Sequence, residues 1–453
     1  MDYLINEYGA IADGITNCRE AIQKAIDECN TAGGGRVIIP PGRFLSGTLV
    51  LKSNVELHLE SGAVLISSLN QEDLIDINQD VEDFNVDIDW TGGCFLYAFH
   101  EKNISITGRG VIYGQGDHVF FDDGSDGGFG ECPKNSKIEK RPRTTFFEDI
   151  ENLNVIDVTF RDAAFWTLHM AGCRHVIVQG IRILNDCRGA NNDGIDPDTC
   201  KDVLITNCII ETGDDAIVIK NSLPMAAKYG TCENIIISHC ILNSHDSAIK
   251  IGTETAKAIR HVIISDCVFR DCSRGVGIWV RDGAIVEDIH VHHIIGNTLR
   301  YADYINRESA PGWWGKGEPI FISATSRAQN GSIESSESIK MSPGIIRNIS
   351  FDFIQMTTES CVFIAGEDNA IIEDVRISNL FMTQQKQGTQ EADSFDEQPS
   401  GHGVYKHAIP AIYARYVKNL SISGTVRRKD SFSQQQLIQI EHGIQVKMDI
   451  CEE

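Results

Sequence analysis

Nine short apolar phrases recur along this chain. They are NISITGRGVI at Asn103, NLNVIDVTF at Asn152, HVIVQGIRI at His175, DVLITNCII at Asp202, NIIISHCIL at Asn234, HVIISDCVF at His261, NISFDFIQM at Asn348, DVRISNLFM at Asp374 and NLSISGTV at Asn419. With Gly180, Cys208, Cys240 and Cys267 taken as equivalent, the periods are 28, 32 and 27 residues. Each unit pairs a short strand with a polar turn and a second strand such as DAIVIK, SAIKIG or GVGIWV. One such unit cannot bury its apolar face alone, so units must stack on their neighbours. Alternating Ile and Val excludes a helical repeat. No amphipathic helix separates the strands, which disfavours a βαβ sheet, and a β-sandwich or propeller is the competing arrangement. The reading that survives is all-β: a right-handed parallel β-helix solenoid, one domain over residues 1–453.

The front end differs. In NCREAIQKAIDECNTAGGG, Ile22, Ala25, Ile26 and Cys29 share one helical face. Asn17 followed by Glu20 suggests an N-terminal cap, and Gly33 to Gly35 end the helix. Residues 1–70 are therefore expected to hold a capping helix over the open end of the solenoid, with the first coils. Polar, Gly/Ser-rich stretches at 325–345 and 384–404 are expected to be mobile loops.

A formal charge of −24, from 64 acidic against 40 basic residues, argues against nucleic acid or an anionic membrane as partner. No apolar run approaches eighteen residues, and MDYLINEYGAIADG lacks the basic flank and apolar run of a signal peptide. The fourteen cysteines follow the strands, as in ITNC, IISHC and IISDC, so they are expected to be reduced core residues in a cytoplasmic protein.

Between Asn191 and Lys220 the chain reads NNDGIDPDTCKDVLITNCIIETGDDAIVIK, with six aspartates in thirty residues. Coils of a β-helix lie about 4.8 Å apart, so equivalent positions become neighbours. Asp214 lies six residues after Cys208, and Asp246 six after Cys240. Stacking is therefore expected to gather Asp193, Asp214, Asp215 and Asp246, with Asn192 beside Asp214. Carboxylates packed together cannot all ionise cheaply, so one site can keep a carboxylic acid beside a carboxylate. Glycoside hydrolysis needs that pair. A structural Asn/Asp ladder and a Ca²⁺ site are the other uses of such a cluster.

NDGID followed by GDDAIVIK resembles the paired active-site motifs of glycoside hydrolase family 28, the polygalacturonase family. YGAIADGITNCREAIQKAID, GGGRVIIPPGRFLSGTLVLKSNVELHLESGAVL, GRGVIYGQG and FWTLHM also resemble family segments, so the likeness covers most of the chain. The resemblance implies an inverting hydrolase without cofactor or metal. Asp214 would be the general acid, Asp193 and Asp215 would hold and deprotonate the attacking water, and Asn192 and Lys220 would support them. Two motifs depart from the pattern. Where the family has Gly-His-Gly this chain has Asp246, Ser247 and Ala248, with His245 one place early. Where the family's Arg-Ile-Lys grips the substrate carboxylate, it has Gly277, Ile278 and Trp279. Arg274, Arg281 and Lys250 lie nearby and are candidates to replace that clamp. A tryptophan in place of a cation suggests instead that Trp279 stacks on a neutral sugar.

APGWWGKGEPIFIS carries Trp313 and Trp314 for sugar stacking and Glu318 for hydroxyls. Trp166 and His169 precede the aspartate motif by one coil, and His290 and His292 share one strand face without a ligand set for metal. The expected reaction is exo-acting hydrolysis of imported pectin-derived or related plant oligosaccharides, with long loops closing one end of the cleft. A β-helix polysaccharide lyase, with Ca²⁺ on the acids and Arg274 or Arg281 as base, is the alternative. A non-catalytic carbohydrate-binding solenoid is the third.

Overall fold

The computed structural model describes residues 1–76, 93–118, 141–187, 189, 191–300, 316–325, 343–388, 394–396, 404–406 and 409–453. The chain divides into two compact units, one ending at Asp214 and the other running from Asp215 to Glu453. Both are parallel β-helix.

In the first unit, strands β1 (Val55–Leu59), β2 (Lys102–Gly108), β3 (Glu151–Ile156), β4 (Arg174–Gln179) and β5 (Lys201–Thr206) stack in parallel, coil on coil. A second ladder joins Val111–Tyr113, Thr159–Arg161, Arg182–Leu184 and Ile209–Thr212. A third joins Gly93–Phe99, Arg143–Glu148, Leu168–Ala171 and Ile195–Asp198. In the second unit, Cys232–Ser238, Ala258–Cys272, Ile285–Thr298, Ile345–Thr358, Ile372–Gln384 and Ile412–Arg428 continue the same pattern. Beside them run β6 (Ile217–Asn221), β7 (Ser247–Thr255), β8 (Arg274–Val280), β9 (Glu318–Ala324) and β10 (Val362–Ala365).

The repeated phrases have a backbone cause. The first residue of every one of them, Asn103, Asn152, His175, Asp202, Asn234, His261, Asn348, Asp374 and Asn419, has φ between 54° and 64°. Among residues with a side chain, Asn, Asp and His enter that left-handed region most readily, so each coil turns on one of them. Neighbouring turn residues then bond along the solenoid: Asn103 Nδ2 to Asn54 Oδ1 (2.8 Å), Asn152 Nδ2 to Asn103 Oδ1 (2.9 Å), Asn419 Nδ2 to Asp374 Oδ1 (2.8 Å). The expected period of 28 is corrected to 27. Gln179 pairs with Thr206 and Arg182 with Ile209, which sets Gly180 opposite Asn207 and not Cys208. Gly180 and Asn207 both occupy a left-handed turn, at φ 67° and 58°.

Helix α1 (Arg19–Thr31) buries Ile22, Ala25, Ile26 and Cys29 completely, as the pattern requires. Its cap differs from expectation. Cys18 holds the N-cap position, while Asn17 Oδ1 accepts the Arg19 N–H (3.0 Å). The helix covers the adjoining strand edge with side chains. Gln23 donates to the Val50 carbonyl (3.0 Å) and accepts the Val50 N–H (2.8 Å), and Asn30 donates to the Ser53 carbonyl (2.9 Å). The described cysteines are free and mostly buried; Cys94, Cys232, Cys267 and Cys272 lie in strands, while Cys173, Cys200, Cys208, Cys240 and Cys361 sit in the positions just outside them. No helix among the described residues is long and apolar enough to cross a membrane. Of the stretches expected to be loops, 326–342 and most of 389–408 lie outside the described residues.

Candidate active site

The acidic stretch runs across the unit boundary, with Asn192, Asp193 and Asp214 in the first unit and Asp215 opening the second. In the first unit Asn192 is buried and organises the turn. Its Oδ1 accepts the N–H groups of Gly213 (2.8 Å) and Asp214 (3.1 Å), and its Nδ2 donates to the Asp186 carbonyl (2.8 Å). Asn185 holds it from behind, donating through Nδ2 to the Asn192 carbonyl (2.9 Å) and to Thr167 Oγ1 (2.8 Å). Gly213 is obligatory, because a Cβ would stand 2.1 Å from the carbonyl oxygen of Gly189. Asp193 and Asp214 are brought together as expected, each offering a carboxylate oxygen within 4.8 Å of the other's.

Next to this turn lies a buried polar layer in which His169 and Trp166 meet Arg141, Arg143, Asp196 and Asp198, four residues to which sequence reasoning gave no role. His169 pairs in register with Asp196, and its Nε2 lies 3.9 Å from Asp198 Oδ2. Its ring is buried and meets Trp166 edge-on at 4.8 Å. Arg143 packs its guanidinium over Trp166 (5.1 Å) and Phe165 (5.3 Å). Burial pulls Arg143 down to about 10, against the opposing charges of Cys94, Asp196 and Asp198. Arg141 donates to Asn191 Oδ1 (2.8 Å). The only signal for these arginines in the sequence is their place at the mouth of an apolar strand, RPRTTFF.

In the second unit a chain of buried charges forms. Lys250 Nζ lies 2.8 Å from Asp215 Oδ2 and 3.9 Å from Asp246 Oδ2. Arg274 Nη1 lies 3.0 Å from Asp246 Oδ1, and its Nε is 3.5 Å from Glu318 Oε2. Glu318 also accepts the Lys316 N–H (2.8 Å). Among the described residues two cations thus face three carboxyls. Burial and then the Asp215 charge push the Asp246 carboxyl upward, against the pull of Lys250, Arg274 and the Ser247 hydroxyl.

The remaining candidates separate. Trp279 was expected to stack on a sugar, but its ring is buried on Phe321 (4.6 Å). It heads a column through Phe363 and Tyr413, because its neighbours on the next coils are aromatic. Arg281 was a candidate clamp, but its guanidinium donates to the Ser323 carbonyl (2.9 Å) and hydroxyl (3.1 Å). Lys220 reaches Glu254 Oε2 at 3.4 Å. His245 is half-buried in the turn before Asp246. Trp313 and Trp314 lie outside the described residues. Arg274 and Arg281 are both engaged with partners of their own, so neither is placed as the base of a lyase.

Residues 29–309, well over half of the chain, match the family described as glycosyl hydrolases family 28, and the match spans both aspartate motifs. The chain belongs to that family. Its relatives include a probable polygalacturonase of Vitis vinifera, 26% identical over 311 residues. That alignment covers 65% of this chain and 61% of the relative. An exo-poly-alpha-D-galacturonosidase of Dickeya chrysanthemi is 28% identical over 252 residues, 47% of this chain and 41% of its own length. The chain therefore spans only about half of the curated relatives it matches. Among solved structures, the family 28 exopolygalacturonase of Yersinia enterocolitica superposes with a TM-score of 0.66 at 17% identity, over 99% of this chain and 78% of that one. At that identity the likeness shows the β-helix fold alone.

Proposed function

We propose that the chain is an O-glycosyl hydrolase, exo-acting on pectin-derived or related plant oligosaccharides. The observation that carries this is the family 28 match over Asp193, Asp214 and Asp215, together with the Asn192 clamp that presents Asp214. Asp214 gives its proton to the glycosidic oxygen as the bond to the anomeric carbon breaks. Asp193 and Asp215 hold the water and take its proton as the new C–O bond forms. Family 28 relatives titled exopolygalacturonase or exo-poly-alpha-D-galacturonosidase support action from chain ends. Free, buried cysteines support a reducing, cytoplasmic setting, where short oligosaccharides are the available substrates.

Inversion rests on the motif resemblance. The nearest oxygens of Asp193 and Asp214 lie within 4.8 Å, less than the roughly 6.5–9.5 Å between the carboxyls of most inverting pairs. The anomer of the first-formed product tests it directly. The activity is tested by product analysis on a panel of oligogalacturonides and neutral plant oligosaccharides, comparing wild type with Asp214→Asn. Release of a saturated terminal sugar, lost in the variant, is expected. Cleavage indifferent to Asp214, or none by wild type, would refute the assignment. An unsaturated product absorbing in the ultraviolet would replace it with a lyase.

A further inference from the structure

The hydrolase reading leaves the buried cations of the second unit without a task, and their packing suggests one. Lys250 on β7 pairs in register with Gly277 on β8. Gly277 carries no side chain for a reason: a Cβ there would stand 2.0 Å from the indole of Trp279. The ring lies over the Gly277 backbone and stacks on Phe321, the register partner of Gly277 on β9. The Lys250 ammonium sits 5.2 Å from the centre of this ring, and the Arg274 guanidinium is at the same distance. A lysine resting against an indole gives up rotamer freedom in return for a cation–π contact. From that seat its ammonium reaches Asp215 Oδ2 at 2.8 Å. The other oxygen, Oδ1, accepts the Ser247 N–H at 3.2 Å, so donors hold both ends of the carboxylate.

We propose that Lys250, seated by the Gly277–Trp279 pair, is a positioning residue that holds the Asp215 carboxylate in one orientation for its work on the attacking water. The inference rests on the hydrolase reading of Asp215. It also gives Lys250 a different task from gripping substrate. Its charge is already matched by Asp215 and Asp246, and with Arg274 it faces three carboxyls. A sugar carboxylate would have to compete with those acids for it. The pair Gly277 and Trp279 is then one coupled replacement, an aromatic seat filling the space that a long side chain at 277 would need.

The test uses the full-length chain and whichever panel oligosaccharide wild type cleaves. For Lys250→Met we expect kcat to fall about 100-fold while KM stays within about threefold. Lys250→Arg should recover at least about tenfold of that loss, and Trp279→Leu, which keeps the charge and removes the seat, should lose about tenfold in kcat at unchanged KM. A tenfold or larger rise in KM with kcat preserved would overturn the proposal in favour of a substrate clamp. Unchanged kinetics in Lys250→Met would overturn it outright. A thermal-unfolding cycle of Lys250→Met, Asp215→Asn and the double variant reads the pair without turnover. The loss in Tm from removing Lys250 should largely disappear in the Asp215→Asn background, and additive losses would refute the pairing. Should wild type cleave nothing on the panel, the hydrolase reading and the catalytic role fall together, while the cycle still decides the pair.

Discussion

Replacing Arg274 with Met removes one of the two cations that balance Asp215, Asp246 and Glu318. Arg274 is almost fully buried, as are Asp246 and Glu318, so solvent screens these contacts little. The substitution loses the 3.0 Å contact to Asp246, the 3.5 Å contact to Glu318 and the guanidinium packing over Phe321 at 4.9 Å. Methionine fills much of the vacated volume, so the loss is mainly electrostatic. Breaking a buried pair from one side costs about 3–5 kcal/mol near neutral pH, because a carboxylate stays buried without its cation. The sign of the pH dependence follows from Asp246, whose folded-state pKa is already raised from 3.8. Such a group contributes its full stability below 3.8 and loses it as pH rises through the folded value. Without Arg274 the buried carboxyls lose a neighbouring cation, which pushes their folded-state pKa values further up, so the penalty grows as pH rises. Urea unfolding of wild type and Arg274→Met at pH 5 and pH 7.5 measures this. The destabilisation should be larger at pH 7.5 than at pH 5. An equal loss at both pH values would refute the link between Arg274 and the Asp246 carboxyl's titration, and a loss below about 1 kcal/mol would refute the pairing itself.

Gly213→Ala should destabilise the protein by about 2–3 kcal/mol and cut kcat by about 100-fold, because the backbone must retreat from Gly189 and carry Asp214 with it. Melting curves and initial rates check both halves, and a fully active, equally stable variant would show that the turn has room. Thiol labelling of the native protein should reach exposed Cys451 first and half-buried Cys187 more slowly. Burial pushes the Cys94 thiol up to about 12, so it should label only on unfolding, as mass spectrometry of the modified peptides will show.

How much of this was legible in the sequence depended on whether a feature repeats. Stacking forces the same demand on every coil, so the polar residue opening each phrase appears again and again, and its left-handed turn explains the letter chosen. Asp193 and Asp214 were legible for a related reason: residues at equivalent turns of adjacent coils must meet. Where two residues compete for one turn position the pattern is ambiguous by a single place. Gly180 was matched one residue late for that reason, and Asn17 was taken for a cap that Cys18 occupies. What could not be read was the pairing of unlike charges. Lys250, Arg274 and Arg281 look equivalent as basic residues near an acidic turn, yet the first two join Asp215 and Asp246, while Arg281 donates to Ser323. The choice among them follows from a contact between two residues on one strand. Because Gly277 is bare, Trp279 lies down over it, and because the indole lies there, Lys250 has a seat within reach of Asp215. A glycine and a tryptophan that look like lost function in the sequence are, in the fold, the reason that a neighbouring lysine stands where it does.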